Sequence, residues 1–299
     1  MLHGVIPVLK PSGWTSHDVV NRIRRLSGQK KVGHTGTLDP EVEGVLPVCL
    51  GQATRIAEYI QNLPKRYRGT MTLGIATDTQ DQTGQVVEDK PVDVVPTPEQ
   101  IDAVFNRFTG AIQQVPPMFS AVKVKGRKLY EWAREGESVQ RPPRTVTIYS
   151  LRRIGMEDGE HPRVDFDVTC SKGTYIRTLC VDLGAALGYP AHMSRLVRTE
   201  SGPFTLTDAQ PLQSLAELAE KEELHRALIG IGDALAHLPQ VAVTEEASAG
   251  VLNGRPLSMK GDFAVGTLFR VFTHSGQFCA LYKMRDEQTA TPEKVFRVR

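Results

Sequence analysis

One carboxylate, Asp39, stands in the segment Gly33-His34-Thr35-Gly36-Thr37-Leu38-Asp39-Pro40, among histidine, hydroxyl and glycine residues. An ionised carboxylate in such a setting can act as a nucleophile or a general base. The glycines let backbone approach a ligand closely. Pro40 biases Asp39 to extended backbone and stops any helix from running through it. The same spacing also fits an Asx-type turn, in which Asp39 only accepts from nearby N–H groups.

Three other stretches carry chemistry. Cys170-Ser171-Lys172-Gly173-Thr174-Tyr175-Ile176-Arg177 reads as a strand end, a tight turn and a helix start. Arg177 could pair with a carboxylate there and hold it ionised, below the ordinary carboxylate range. Taken alone, Tyr175 reads first as core packing and Arg177 as an ordinary surface charge. Lys65-Arg66-Tyr67-Arg68 joins an aromatic ring to cations, a composition suited to stacking on a base beside phosphates. Residues 114–143 place Lys123, Lys125, Arg127 and Lys128 near Phe119, Tyr130 and Trp132 between two Pro-Pro pairs. They read as an exposed excursion with a short helix in it.

The elements that must position these residues follow from apolar spacing. Val5 to Leu9 is a short apolar run, and Ser16 is predicted to cap a helix carrying Val19, Val20, Ile23 and Leu26 on one face. Residues 33–36 read as loop, Val45 to Leu50 as an apolar run and Ala53 to Ile60 as a helix. A strand is expected over Tyr67–Leu73, a polar turn over 78–84 and a helix starting near Thr97. Val164, Phe166, Val168 and Cys170 alternate with polar residues, the mark of a half-buried strand. The helix after Gly173 carries Ile176, Leu179, Cys180 and Leu183. Short β-like runs follow Pro239, so the division falls into 1–239 and 240–299.

Composition bounds the partners. The 299 residues carry a formal net charge of only +2, so charge alone names no partner. Residues 1–80 nevertheless hold ten Lys and Arg against six Asp and Glu, which favours a polyanion at that end. The four cysteines form no C-x-x-C pair and sit among apolar neighbours, as buried thiols do. No metal-ligand spacing, signal peptide or membrane-length apolar run is present, so a cytoplasmic location is expected.

Taken in order, these motifs resemble the TruB family of bacterial tRNA pseudouridine synthases. The Asp39 segment with Gly44-Val45-Leu46-Pro47 is similar to that family's catalytic motif. Lys65-Arg66-Tyr67, Ser171 to Leu179, Pro116 to Ala121 and Ser201-Gly202-Pro203-Phe204 are similar to further family segments. The resemblance implies isomerisation of uridine 55 in the T loop of tRNA, with no cofactor or metal. It puts the nucleophile at Asp39, a counter-charge at Arg177 and a stacking ring at Tyr67. Tyr175 and Leu196 would line the pocket, and His34 would hold the flipped nucleotide out. Whether Asp39 attacks C1′ or C6, or acts as a base, stays open. Lys65, Arg66, Lys123, Lys125, Arg127 and Lys128 would contact RNA, with 114–143 acting as a thumb on the T arm.

The resemblance also implies an α+β pseudouridine synthase fold: a mixed, largely antiparallel sheet with flanking helices and a central cleft. A small β-rich, PUA-like RNA-binding module would follow from 240. No guide RNA is expected, and the chain is expected to act as a monomer; a tRNA-folding role is compatible with catalysis. Glu41 and Glu43, where many relatives carry small or apolar residues, are expected to face solvent. Two rivals remain at this point: an RNA-binding protein without catalysis, and a glycoside hydrolase, which needs two facing carboxylates.

Overall fold

The computed structural model describes residues 1–259 and 263–297. Its centre is a ten-stranded mixed sheet. The first strands are β1 (Gly4–Lys10), β2 (Val32–His34), β3 (Glu43–Leu50) and β4 (Lys65–Leu73). Across the sheet the order is Gln210–Pro211, β1, β3, Ala191–Ser201, β4, Arg163–Cys170, Arg144–Glu157 and Gly110–Gln114. β2 pairs with β3, and Phe204–Thr205 with Ala191–Ser201. Two pairings are parallel, β1 with Gln210–Pro211 and β3 with Ala191–Ser201; the others are antiparallel. The sheet is therefore mixed and largely antiparallel, with helices packed on it.

Strand alternation sends side chains to two different cores. Along β1, Ile6 and Val8 join the cluster that also buries Val19, Val20 and Ile23 of helix α1 (Ser16–Ser27). Val5, just before them on the opposite face, points into a second cluster with Val45, Cys49, Ala53, Ile56 and Ile60. On β3, Leu46, Val48 and Leu50 face the first cluster, and Val45 and Cys49 the second. Each such fully buried branched side chain contributes roughly 1.5–3 kcal/mol.

A separate five-stranded sheet begins at Gln240, making the C-terminal part β-rich. It is not loosely tethered: Leu281 of this sheet and Phe296, just past the strand Thr289–Val295, lie in the second cluster beside Ile56 and Ile231. Arg55 stacks over Phe296 and donates to the Val295 carbonyl at 2.6 Å.

Three local expectations need correction. The α1 cap is Thr15, whose side chain and Asp18 form a reciprocal capping box. Ser16 is the first helical residue, and its hydroxyl instead exchanges bonds with the Leu38 backbone. The stretch expected as loop from Gly33 begins inside β2. The expected 53–60 helix is a 3₁₀ turn, Gly51–Ile56, followed by a short α-helix, Ala57–Gln61.

Candidate active site

The backbone on both sides of Asp39 is fastened before any side chain is considered. Leu38 donates to the Ser16 hydroxyl at 2.9 Å and is itself buried. The Pro40 carbonyl accepts from Gly13 N–H at 3.0 Å and from Lys10 Nζ at 2.8 Å. Lys10 is fully buried, and its ammonium also donates to the Pro11 and Trp14 carbonyls. Burial lowers its pKa to about 8 against the pull of Glu41 and Asp39. Three carbonyls around one ammonium use all three donors.

A second buried cation braces the loop from the sheet. Arg198 lies beside Tyr67 on one neighbouring strand and Gly44 on the other. Its guanidinium donates to the carbonyls of Val45 at 2.8 Å, Gly36 at 3.2 Å and Thr37 at 3.4 Å. Gly44 has φ +115°, and a Cβ there would come within 2.2 Å of the Arg198 carbonyl oxygen. Only glycine permits that approach. Gly69 plays the matching part on β4, where a Cβ would meet Leu196 at 2.8 Å.

Asp39 meets Arg177 at the start of the helix Ile176–Leu187, Oδ2 to Nε at 3.0 Å. Arg177 also donates to the Thr79 carbonyl at 3.0 Å and the Phe119 carbonyl at 2.9 Å. One buried guanidinium thus joins the Asp39 loop, the 78–84 turn and the root of the 114–143 segment. Asp81 brings a second carboxylate to the same Nε at 3.8 Å. Its other oxygen accepts from Thr79 Oγ1, Thr83 N–H and Thr83 Oγ1. The adjacent Gln80 holds φ +64°, a costly conformation for a side-chain-bearing residue.

The expected lowering of the Asp39 pKa is overturned. Burial in the cleft pushes it up, Arg177 pulls it back, and Asp81 pushes it up again. The net direction is upward, although part of the side chain remains open to the cleft. Burial also raises Tyr67, against the pull of the Arg198 guanidinium beside it.

Two recesses meet at Asp39. The smaller, of about 360 Å³, is walled by Asp39, Tyr67, Tyr175, Arg177, Leu196 and Lys172, with Thr35 and Ser120. Tyr175 is fixed by buried Gln114, which accepts from its N–H at 3.0 Å and donates to its carbonyl at 3.2 Å. The larger, of about 790 Å³, runs past Glu41, Glu43, Asp81, Glu157, Arg163 and Arg195. Glu41 and Glu43 are exposed on this side and do not line the smaller cavity. His34 lines neither recess; its Nδ1 accepts from Gly36 N–H at 3.3 Å, and burial lowers its pKa.

The basic residues separate into two kinds. Lys65 is buried, donates to the Gln61 and Leu63 carbonyls and reaches the wall of the smaller cavity. Arg66 forks onto Asp167 at 2.8 and 3.1 Å and reaches Glu200 at 2.9 Å. Burial opposes ionisation of Asp167, but its bonds from Arg66 and Arg68 outweigh it and hold the carboxyl below its ordinary value. Of the two cations expected at phosphates on β4, Lys65 is thus tied to the backbone just before its own strand, and Arg66 ties β4 to the strands on either side. Lys123 and Lys125 are exposed on a two-stranded hairpin. Arg127 stacks over Trp132, and Lys128 over Tyr130.

Asp81, Arg198 and Lys10 were not legible as site residues in the sequence. Asp81 gave one signal, an aspartate within the polar run Asp78 to Gly84. Among the described residues, no group of three His, Cys, Asp or Glu side chains is placed to hold a metal ion. No helix there is long and apolar enough to cross a membrane.

Residues 24–176 match the TruB family pseudouridylate synthase N-terminal domain, and 177–236 match the tRNA pseudouridylate synthase B C-terminal domain. A protein named tRNA pseudouridine synthase B from Oceanobacillus iheyensis is 46% identical, covering 99% of this chain and 98% of the relative. One of the same name from Bacillus licheniformis is 47% identical, with 99% and 98% covered. A solved Cbf5-Nop10-Gar1 complex contains a chain similar to this one at TM-score 0.76 and 33% identity, covering 99% of this chain and 86% of that one. A chain of an H/ACA ribonucleoprotein bound to a substrate RNA containing 2′-deoxyuridine aligns with the same score at 29% identity, with 99% and 86% covered.

Proposed function

Since the chain belongs to the TruB family of pseudouridylate synthases, we propose that it isomerises uridine 55 in the T loop of tRNA to pseudouridine. Asp39 is the nucleophile. The observation that carries this reading is the ion pair of Asp39 with Arg177 at 3.0 Å, at the wall of a cavity that Tyr67, Tyr175 and Leu196 also line. The target uridine turns out of the T loop into this cavity. Unstacking costs a few kcal/mol, and stacking on Tyr67 offsets part of it.

In the C1′ route, a carboxylate oxygen of Asp39 forms a bond to C1′ while the C1′–N1 pair leaves with the uracil. The ring then turns, and C5 attacks C1′ and displaces the carboxylate. The C5 proton is lost and N1 gains one, so the product has the mass of the substrate. In the C6 route the same carboxylate adds to the base first. Either route needs Asp39 ionised, and Arg177 supplies the opposing charge.

The exposed cations Lys123 and Lys125 are suited to phosphates of the T arm, and 114–143 acts as a thumb. His34, next in the chain to Thr35 of the cavity wall, fills space that the base vacates. The enzyme works on tRNA without a guide RNA.

Incubation of the purified protein with unmodified tRNA, followed by pseudouridine mapping, tests the reading. The expected product is at position 55. A product elsewhere would refute the position and leave the reaction class standing; release of free uracil would replace the isomerase with a hydrolase.

A further inference from the structure

We propose that the Ser120 hydroxyl is a hydrogen-bond partner of the uracil ring in the smaller cavity, holding its edge both before and after the ring turns. This rests on the reading of that cavity as the place where the target uridine is isomerised. Ser120 stands at the root of the 114–143 segment, lines the cavity and is 6% exposed.

Its backbone is fixed on both sides. Ser120 N–H donates to the Met118 carbonyl at 2.9 Å, and its own carbonyl accepts from Tyr130 N–H at 3.1 Å. The preceding carbonyl, of Phe119, takes the 2.9 Å bond from Arg177. Its Oγ is buried yet has no hydrogen-bond partner among the described residues. A buried hydroxyl left unpaired is costly, and such a group calls for a reason. A held backbone with an uncommitted hydroxyl at a cavity wall is what a preorganised ligand contact requires.

The chemistry of the ring says which ligand suits it. Isomerisation turns uracil about the axis through N3 and C6. The turn exchanges N1 with C5 and O2 with O4, while N3–H keeps its place. The edge O2, N3–H, O4 therefore presents acceptor, donor, acceptor in substrate and product alike. A serine hydroxyl both donates and accepts, so one group can serve that edge throughout. It carries no charge to compete with Asp39 for Arg177.

The test is the affinity of T-arm stem-loop RNAs carrying uridine, pseudouridine or no base at the target position. They are bound to Asp39→Asn protein with and without Ser120→Ala. The expected result is that Ser120→Ala weakens the uridine and pseudouridine RNAs alike, by about fivefold, and leaves the abasic RNA unchanged. The abasic RNA also reports that the variant is folded. Equal loss on the abasic RNA, loss with only one of the two bases, or no loss at all would each overturn the proposal. Pseudouridine formed by the Asp39→Asn protein would instead overturn the role of Asp39.

Discussion

Arg177 holds Asp39 at 3.0 Å with one nitrogen while another donates to the Phe119 carbonyl at 2.9 Å. The candidate nucleophile and the root of the thumb are thus set by one side chain. Lysine gathers its donors on one nitrogen and cannot span the positions that Nε, Nη1 and Nη2 of Arg177 reach separately. Arg177→Lys is expected to lower single-turnover pseudouridine formation by about a hundredfold, and Asp39→Asn by about a thousandfold or more. In both variants, tRNA affinity measured by filter binding stays close to that of the parent. A variant of either kind with parental rates would remove these residues from the reaction.

The pH dependence follows from two shifts. Asp39 is raised, so the active carboxylate is lost on acidification at a pH above the ordinary aspartate range. Asp81→Asn removes one raising charge and should move that acid limb to lower pH. Its activity at neutral pH should fall, because Arg177 loses a partner. At the other end, Lys10 titrates near 8. Above that pH a neutral amine has too few hydrogens for three carbonyls, and the support under Pro40 weakens. Rate–pH profiles of the parent and of Asp81→Asn check both limbs; an unmoved acid limb in the variant would contradict the coupling.

Gly44→Ala is expected to destabilise the protein by about 2–4 kcal/mol, since it combines left-handed strain with overpacking against the Arg198 backbone. Denaturant unfolding gives the value. A loss below about 1 kcal/mol would mean that the strand pair yields more easily than its geometry implies.

The two kinds of cation predict different salt behaviour. Replacing Lys123 and Lys125 together by Ala should reduce the slope of log affinity against log salt by about two, with little change in the rate on bound tRNA. Lys65→Met should leave that slope unchanged and lower thermal stability, because two carbonyls lose their donor. A reduced salt slope for Lys65→Met would restore it as a phosphate contact.

Much of this arrangement was legible in the sequence because it is local. Pro40 and the flanking glycines mark the Asp39 loop, Thr97 starts its helix, and period-two alternation marks Arg163–Cys170. What was not legible depends on where a strand falls in the sheet. Lys65 and Arg66 look like surface cations in a list of residues. β4 runs between two other strands, so Lys65 is enclosed and Arg66 is met by Asp167 and Glu200 from either side. Asp81 reaches Arg177 only through a turn held by Thr79 and Thr83, a contact 96 residues apart in the chain (81 to 177). The upward shift of Asp39 was missed for a related reason: the sequence offers the counter-charge but conceals the burial and the second carboxylate.

Phe296, Leu281 and Ile231 share one buried apolar cluster with Val45, Cys49 and Ile56. The C-terminal sheet therefore cannot swing as a weight on a string. Its outer face stands at a fixed span from Asp39, like the second jaw of a caliper. A molecule that touches both jaws must carry the matching length itself, and one a helical turn too long or too short would lose one contact or the other. Selection by size then needs no moving part.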